Sequence, residues 1–400
     1  MTIPAGTRLI VQVLGICIAC FLTINGVESS PSSDAVFNIF NYGAKAEPKF
    51  DNALAIIKAW KAACESSGPA KVVIPAGDFM AGEVVFSGPC KAPTTTVEIQ
   101  GHLLANIDPS TYTSGAWIMV QTVDNVVLTG GGIINGEGKF DWKYADGVSP
   151  LAVSLLFQEV GNSKAHNLKL VDSMGFHIEV MGSHDIDLRN LTITAPGDSP
   201  YTDGVHLTNS INVNVTDSVI ATGDDCVSIG HGNQNIIVAR ITCGPGHGIC
   251  VGNLGKHADE KNLKGVTVSN CILTGTTNGA RIKTYHDSPQ ITASDIVFQD
   301  IQMNNVQNPI MIDQHYNSTA TTAQSKVKIS NARFVNIKGT SASAVAVSLN
   351  CSSAVPCEGI ELADIDLKPA GSTGPLTSAC SNAKTVLKGT QNPPGPANCV

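Results

Sequence analysis

Four short motifs gather residue types that can move protons or hold an acidic ligand. They read Tyr201-Thr202-Asp203-Gly204, Gly223-Asp224-Asp225-Cys226, Gly244-Pro245-Gly246-His247-Gly248 and Arg281-Ile282-Lys283. Asp203 and Asp224 stand 21 positions apart, and Asp225 and His247 stand 22 apart. If one turn of a repeating backbone takes about that many residues, these groups fall on neighbouring rungs of one sheet face. Arg281 and Lys283 come 34 and 36 positions after His247, one longer turn on. Crowded carboxylates oppose joint ionisation, so one of them holds its proton to higher pH. An acid that protonates a leaving oxygen, beside a base that activates water, is the requirement of glycosidic cleavage.

Neighbours in an ideal strand face opposite ways. Asp224 and Asp225 therefore need a bend to share one cleft, and Gly223 lowers its cost. A single Asp in such a chain is ordinarily a turn cap, so the weight rests on the register of the whole set. His177, His184, His206 and His231 read as structural or exposed, and Trp117 and Trp142 as packing residues.

The elements that must position these groups repeat. One good helix is expected over residues 52–65, with Ala53, Ile56, Ile57, Trp60, Ala63 and Cys64 on one face. From about Lys71 the period becomes two. Apolar pairs flanking one other residue then recur: Leu168–Leu170, Ile186–Leu188, Val213–Val215, Ile236–Val238, Val266–Val268, Ile296–Phe298, Val327–Ile329 and Ile360–Leu362. Asp172, Asn190, Asp217, Asn270, Asp300 and Asn331 follow closely and suit bends, where Asn and Asp tolerate left-handed backbone. The intervals of 18 to 33 residues are coil lengths, not the 8–12 of an antiparallel sandwich. The fold expected is all-β, a parallel β-helix whose coils stack about 4.8 Å apart. The helix would cap one end, and the tail from Cys380 to Val400 would close the other.

The chain has 400 residues, 14% of them charged, with a net charge of −8. That balance excludes coiled coils, disordered chains and general nucleic-acid binders. Leu9–Leu22 is an apolar run after Arg8, too short to span a bilayer and suited to a signal peptide over residues 1–27. Residues 28–400 then form one secreted domain, with no membrane partner expected. Ten cysteines remain after the leader. Nearest-neighbour pairing gives Cys64–Cys90, Cys226–Cys243, Cys351–Cys357 and Cys380–Cys399. Whether Cys250 and Cys271 pair stays open. Sequons at Asn190, Asn214, Asn317 and Asn350 fit passage through the secretory route. Beyond the leader no CxxC pair or His-rich tract suggests a metal site, and no cofactor is expected.

The four motifs, in this order and spacing, resemble the plant polygalacturonases, glycoside hydrolases that degrade pectin. The family pattern is Asn-Thr-Asp, Gly-Asp-Asp, Gly-His-Gly and Arg-Ile-Lys. The similarity runs from Tyr42-Gly43-Ala44 to near Cys380, and residues 194–200 and 243–248 look like the exo-acting pollen group. The resemblance implies a right-handed parallel β-helix and inverting hydrolysis of α-1,4-linked galacturonate by a monomer acting at the cell wall. It implies Asp224 as general acid, Asp203 and Asp225 as the groups that activate water, and His247 as their support. Arg281 and Lys283 would grip a substrate carboxylate, as an Arg fork suits. One position departs: the family's Asn is Tyr201 here, a bulkier group at the sugar-binding position. Exo and endo action stay open. So do a rhamnogalacturonan hydrolase, a calcium-dependent pectate lyase and a non-catalytic wall-binding β-helix.

Overall fold

A computed structural model describes residues 34–145, 151–316, 323–371, 374–396 and 399. Nearly every strand pairs in parallel with the strand one coil before and one coil after, the arrangement of a parallel β-helix. Among the described residues the strands collect into an 18-stranded and an 11-stranded sheet. The larger one wraps a corner, because long strands such as Gly161–Val171 pair with two shorter strands of the coil before. The smaller runs from Val84–Ser87 to Thr377–Ser381 and carries the residues singled out above.

The interior follows from the period of two. Inward residues stack in columns, one being Ile186, Val213, Ile236, Val266, Ile296 and Ala332. All six are buried, and Phe298 lies flat on Phe334 at 5.4 Å. Each fully buried aliphatic is worth roughly 1.5–3 kcal/mol, so the columns supply most of the driving force. Two repeats belong elsewhere. Leu168–Leu170 pairs with Leu191–Ile193 past the corner, and Ser163–Ala165 is the true partner of Ile186–Leu188. Likewise Ala332–Phe334, not Val327–Ile329, continues the column after Ile296–Phe298. Apolar alternation runs through the corner on these long strands, so the pattern alone does not fix the phase.

The expected bends are present. Asp172, Asn190, Asp217, Asn270, Asp300 and Asn331 all have φ between 46° and 55°. Their amides tie one coil to the next, as where Asn336 Nδ2 donates to Asp300 Oδ1 at 2.6 Å. The helix Ala53–Cys64 buries Ile56, Ala59, Trp60 and Ala63 against the first coils. Trp60 Nε1 donates to the Ser87 carbonyl, and Cys64–Cys90 fixes the helix end. A strand before the helix, Ala35–Asn38, also joins the sheet and went unseen in the sequence.

All four cysteine pairs are disulfides, and Cys250 and Cys271 are buried free thiols. The tail is more than a plug. Thr377–Ser381 and Ala383–Asn392 form the last coil, which Cys380–Cys399 fastens. The leader segment and Asn317 lie outside the described residues. Asn190 and Asn350 are exposed, and Asn214 is half-buried in a strand. Among the described residues no helix is long and apolar enough to cross a membrane.

Candidate active site

Three successive strands of the smaller sheet align Val205 with Val227 and Val227 with Ile249. Asp203, Asp225 and His247 each stand two positions before these residues, so they share one register on three consecutive rungs. Asp224 is offset by one. The expected conflict between adjacent carboxylates is resolved because both lie in the bend before the strand Val227–Ile229, where strand alternation does not apply. Gly223 is needed there for space: a Cβ would sit 2.0 Å from the Ser199 carbonyl oxygen. Gly248 has φ +86°, left-handed backbone that favours glycine, just after His247. Cys226–Cys243 joins the Asp224-Asp225 bend to the segment leading into His247. By loop-closure entropy such a short cross-link is worth about 3 kcal/mol.

The side chains converge. His247 Nδ1 bonds Asp224 Oδ1 at 2.8 Å. Lys283 Nζ donates to Asp225 Oδ2 at 3.0 Å, both groups being buried. Ser228 Oγ donates to Asp203 Oδ2 at 2.5 Å. Asp225 Oδ1 is buried without a hydrogen-bond partner among the described residues. Arg281 lies 3.8 Å from Asp313 Oδ2, and its guanidinium carbon is 5.2 Å from the Tyr316 ring centre. Lys283 Nζ lies at the same distance from that ring. Tyr201 lies at the surface, 43% exposed. A cavity of about 250 Å³ lies not at this cluster but on the coils before it, beside Tyr112, Asp141 and Met174.

Electrostatics separates the carboxylates. Burial, with Asp224 and Asp225 close by, pushes Asp203 well above the usual carboxylate range, and the Ser228 hydroxyl opposes it. Burial, with the Asp224 charge beside it, also raises Asp225 against the opposing pull of Lys283. Burial works against the Asp224 anion as well, yet the hydrogen bond and charge of His247 hold it below the usual range. The same bond raises the His247 imidazole. Asp203 and Asp225 therefore hold their protons to higher pH than Asp224, which pairs with His247.

The ligand atoms of Asp224, Asp225 and His247 lie within 4.8 Å of one another, a spacing that suits a cation. Calcium wants six to eight oxygens. Here an imidazole and the Lys283 ammonium already occupy the carboxylates, so the donor set does not fit it.

Sequence reasoning missed several neighbours. Ser228 and Cys250 continue the outward column of His206 toward Arg281, which the Arg-Ile-Lys motif had marked, and Asp313 pairs with Lys283 on the following rung. Aligning the strands on Val205, Val227, Ile249 and Ala280 was the signal that would have found them. Tyr316 had no such signal, because a register shift precedes it.

Tyr201 has φ 55°, left-handed backbone that costs an ordinary residue about 1–2 kcal/mol and that Asn adopts readily. It loses little packing on removal because it is exposed. Tyr201→Asn is expected to stabilise the protein by about 1 kcal/mol in urea unfolding. An unchanged or lower midpoint would contradict this.

A parallel β-helix with buried carboxylates, an imidazole and two cations on adjacent rungs of one sheet defines a carbohydrate-cleaving class of site. The chain belongs to glycosyl hydrolases family 28, whose model matches residues 64–390. It is similar to an exopolygalacturonase from Platanus acerifolia, 42% identical over 92% of this chain and 98% of that one. It is likewise similar to a polygalacturonase from Gossypium hirsutum, 43% identical over 91% of each. Its fold matches the endo-xylogalacturonan hydrolase of Aspergillus tubingensis with a TM-score of 0.78, at 22% identity over 89% of this chain and all of that one.

Proposed function

We propose that this protein is a secreted polygalacturonase that hydrolyses α-1,4-galacturonosyl bonds of pectate from chain ends, with inversion. What carries the reading is the cluster itself: Asp203, Asp225 and His247 in one register, Asp224 bonded to His247, and two cations one rung on. The exo mode draws support from relatives of that name, including the one from Platanus acerifolia. Secretion draws support from the apolar leader and four disulfides. Glycans at Asn190, Asn214, Asn317 and Asn350, and a monomeric domain over residues 28–400, belong to the same reading.

Asp224 is the acid in this mechanism, although the free site holds it ionised. The proton it needs sits across its 2.8 Å bond, on His247. A sugar covering the pair removes water, which disfavours two charges and favours Asp224–H beside neutral imidazole. Asp224 then protonates the glycosidic oxygen as the C1–O bond breaks. Water adds to C1 from the opposite side and gives its proton to Asp225 or Asp203. Their raised pKa values bring these bases nearer the working pH, where they accept a proton more effectively. Arg281 and Lys283 bind a substrate carboxylate and favour acidic units over neutral ones.

Digestion of polygalacturonate with early time points resolved by chain length tests this. Monogalacturonate as the sole early product is expected. A ladder of oligomers would overturn the exo mode, and no new reducing ends at mildly acidic pH would overturn the function.

A further inference from the structure

We infer that His206 is a positioning residue, acting through Ser228 to hold the Asp203 carboxylate oriented and ionisable. The inference rests on the proposed hydrolytic role of Asp203. Its basis is a continuous line of hydrogen bonds on the outer face of the site sheet. Thr208 Oγ1 lies 3.0 Å from His206 Nε2, His206 Nδ1 lies 2.7 Å from Ser228 Oγ, and Ser228 Oγ donates to Asp203 Oδ2 at 2.5 Å.

With Asp203 ionised, proton counting fixes the direction of every bond. The single Ser228 proton goes to Asp203, so Ser228 must accept from His206. His206 therefore carries its proton on Nδ1, and its Nε2 accepts from Thr208. Burial keeps the imidazole neutral, with its pKa lowered to about 4, as this tautomer requires. The ring is also clamped: it stacks on Phe176 with centroids 4.6 Å apart, and lies between Glu179 and Ser228 in the strand register. Glu179, Lys283, His231 and Asp224 are the charged or titratable groups around it. Around Asp203 they are Asp224, Asp225 and Lys283, with His177 bonding its backbone carbonyl.

The consequence is specific. Without a donor from His206, the Ser228 hydroxyl can turn away, and Asp203 loses the bond that favours its anion. Its pKa then rises, and any activity that needs ionised Asp203 retreats to higher pH. A hydrogen bond to a charged group corresponds to a shift of about one to two pH units.

The test uses the full protein with four variants: His206→Phe, which keeps the ring against Phe176; His206→Gln, which keeps a donor; Ser228→Ala; and the double variant His206→Phe/Ser228→Ala. The readouts are the acidic limb of the kcat/KM profile on oligogalacturonate and direct ¹³C titration of the Asp203 carboxyl. His206→Phe and Ser228→Ala are expected to move both upward by about one unit or more. His206→Gln should recover most of the shift, and the double variant should add nothing to Ser228→Ala. Additive effects, or an Asp203 titration that His206→Phe leaves in place, overturn the inference. If Asp203 titrates as expected while no variant or parent cleaves the substrate, the linkage stands and the hydrolase reading fails.

Discussion

Asp224→Asn is expected to lower kcat by about 10³-fold, within the 10²–10⁴ that a positioned general acid contributes. The substitution keeps the shape of the site. The amide oxygen can still accept the Asp225 N–H, which now donates to Asp224 Oδ1 at 2.8 Å. What disappears is the carboxyl bonded to His247 that, in the proposed mechanism, carries the proton to the leaving oxygen. KM should change little, because the proposed substrate grip lies with Arg281 and Lys283 and not with Asp224. Steady-state kinetics on oligogalacturonate, with a thermal melt to show an intact fold, makes the comparison. A variant within tenfold of the parent would remove Asp224 from the acid role and direct attention to Asp203, the carboxyl that burial pushes well above the usual range.

Lys283→Met is the second large effect, and it strikes stability and activity together. Lys283 and Asp225 are 3.0 Å apart and both are almost wholly enclosed. Removing one partner of such a pair costs about 3–5 kcal/mol, because the other charge is left buried and alone. The cost depends on pH. Burial already raises the Asp225 pKa, and losing the ammonium raises it further. Below the unfolded-state value, near 4, Asp225 is protonated in both states and its charge adds no penalty. As pH climbs from there to the raised folded value, unfolding releases a proton ever more readily, and the variant loses stability until the folded-state carboxyl ionises too. Urea midpoints at pH 4 and pH 7 should therefore differ from the parent far more at pH 7. Activity should fall at least a hundredfold, since the variant loses a proposed substrate cation and Asp225 holds its proton to still higher pH. A destabilisation equal at both pH values would mean that methionine packing, not the orphaned carboxylate, sets the cost.

How much of this was legible is clearest at particular residues. The bends at Asp172, Asn190, Asp217 and Asn270 were readable because Asn and Asp adopt left-handed backbone where other side chains clash. The disulfides were readable because successive coils bring nearby cysteines together. Register was harder. Leu168–Leu170 and Ile186–Leu188 look alike in sequence, yet they lie on different sides of a corner. The true match of Asp203 is Asp225, 22 positions on, and not Asp224 at 21.

By itself the sequence determined that the chain coils into a β-helix and that its acids, imidazole and cations fall on neighbouring coils. Both follow from local periodicity and from spacing along the chain, which a stacked repeat converts directly into proximity. Only the tertiary structure decided which proton sits where. His247 captures the proton of Asp224, Lys283 offsets part of the burial of Asp225, and Ser228 with His206 behind it braces Asp203. Those choices depend on a few tenths of an ångström and on how much water each group keeps, and neither quantity is written in the order of residues.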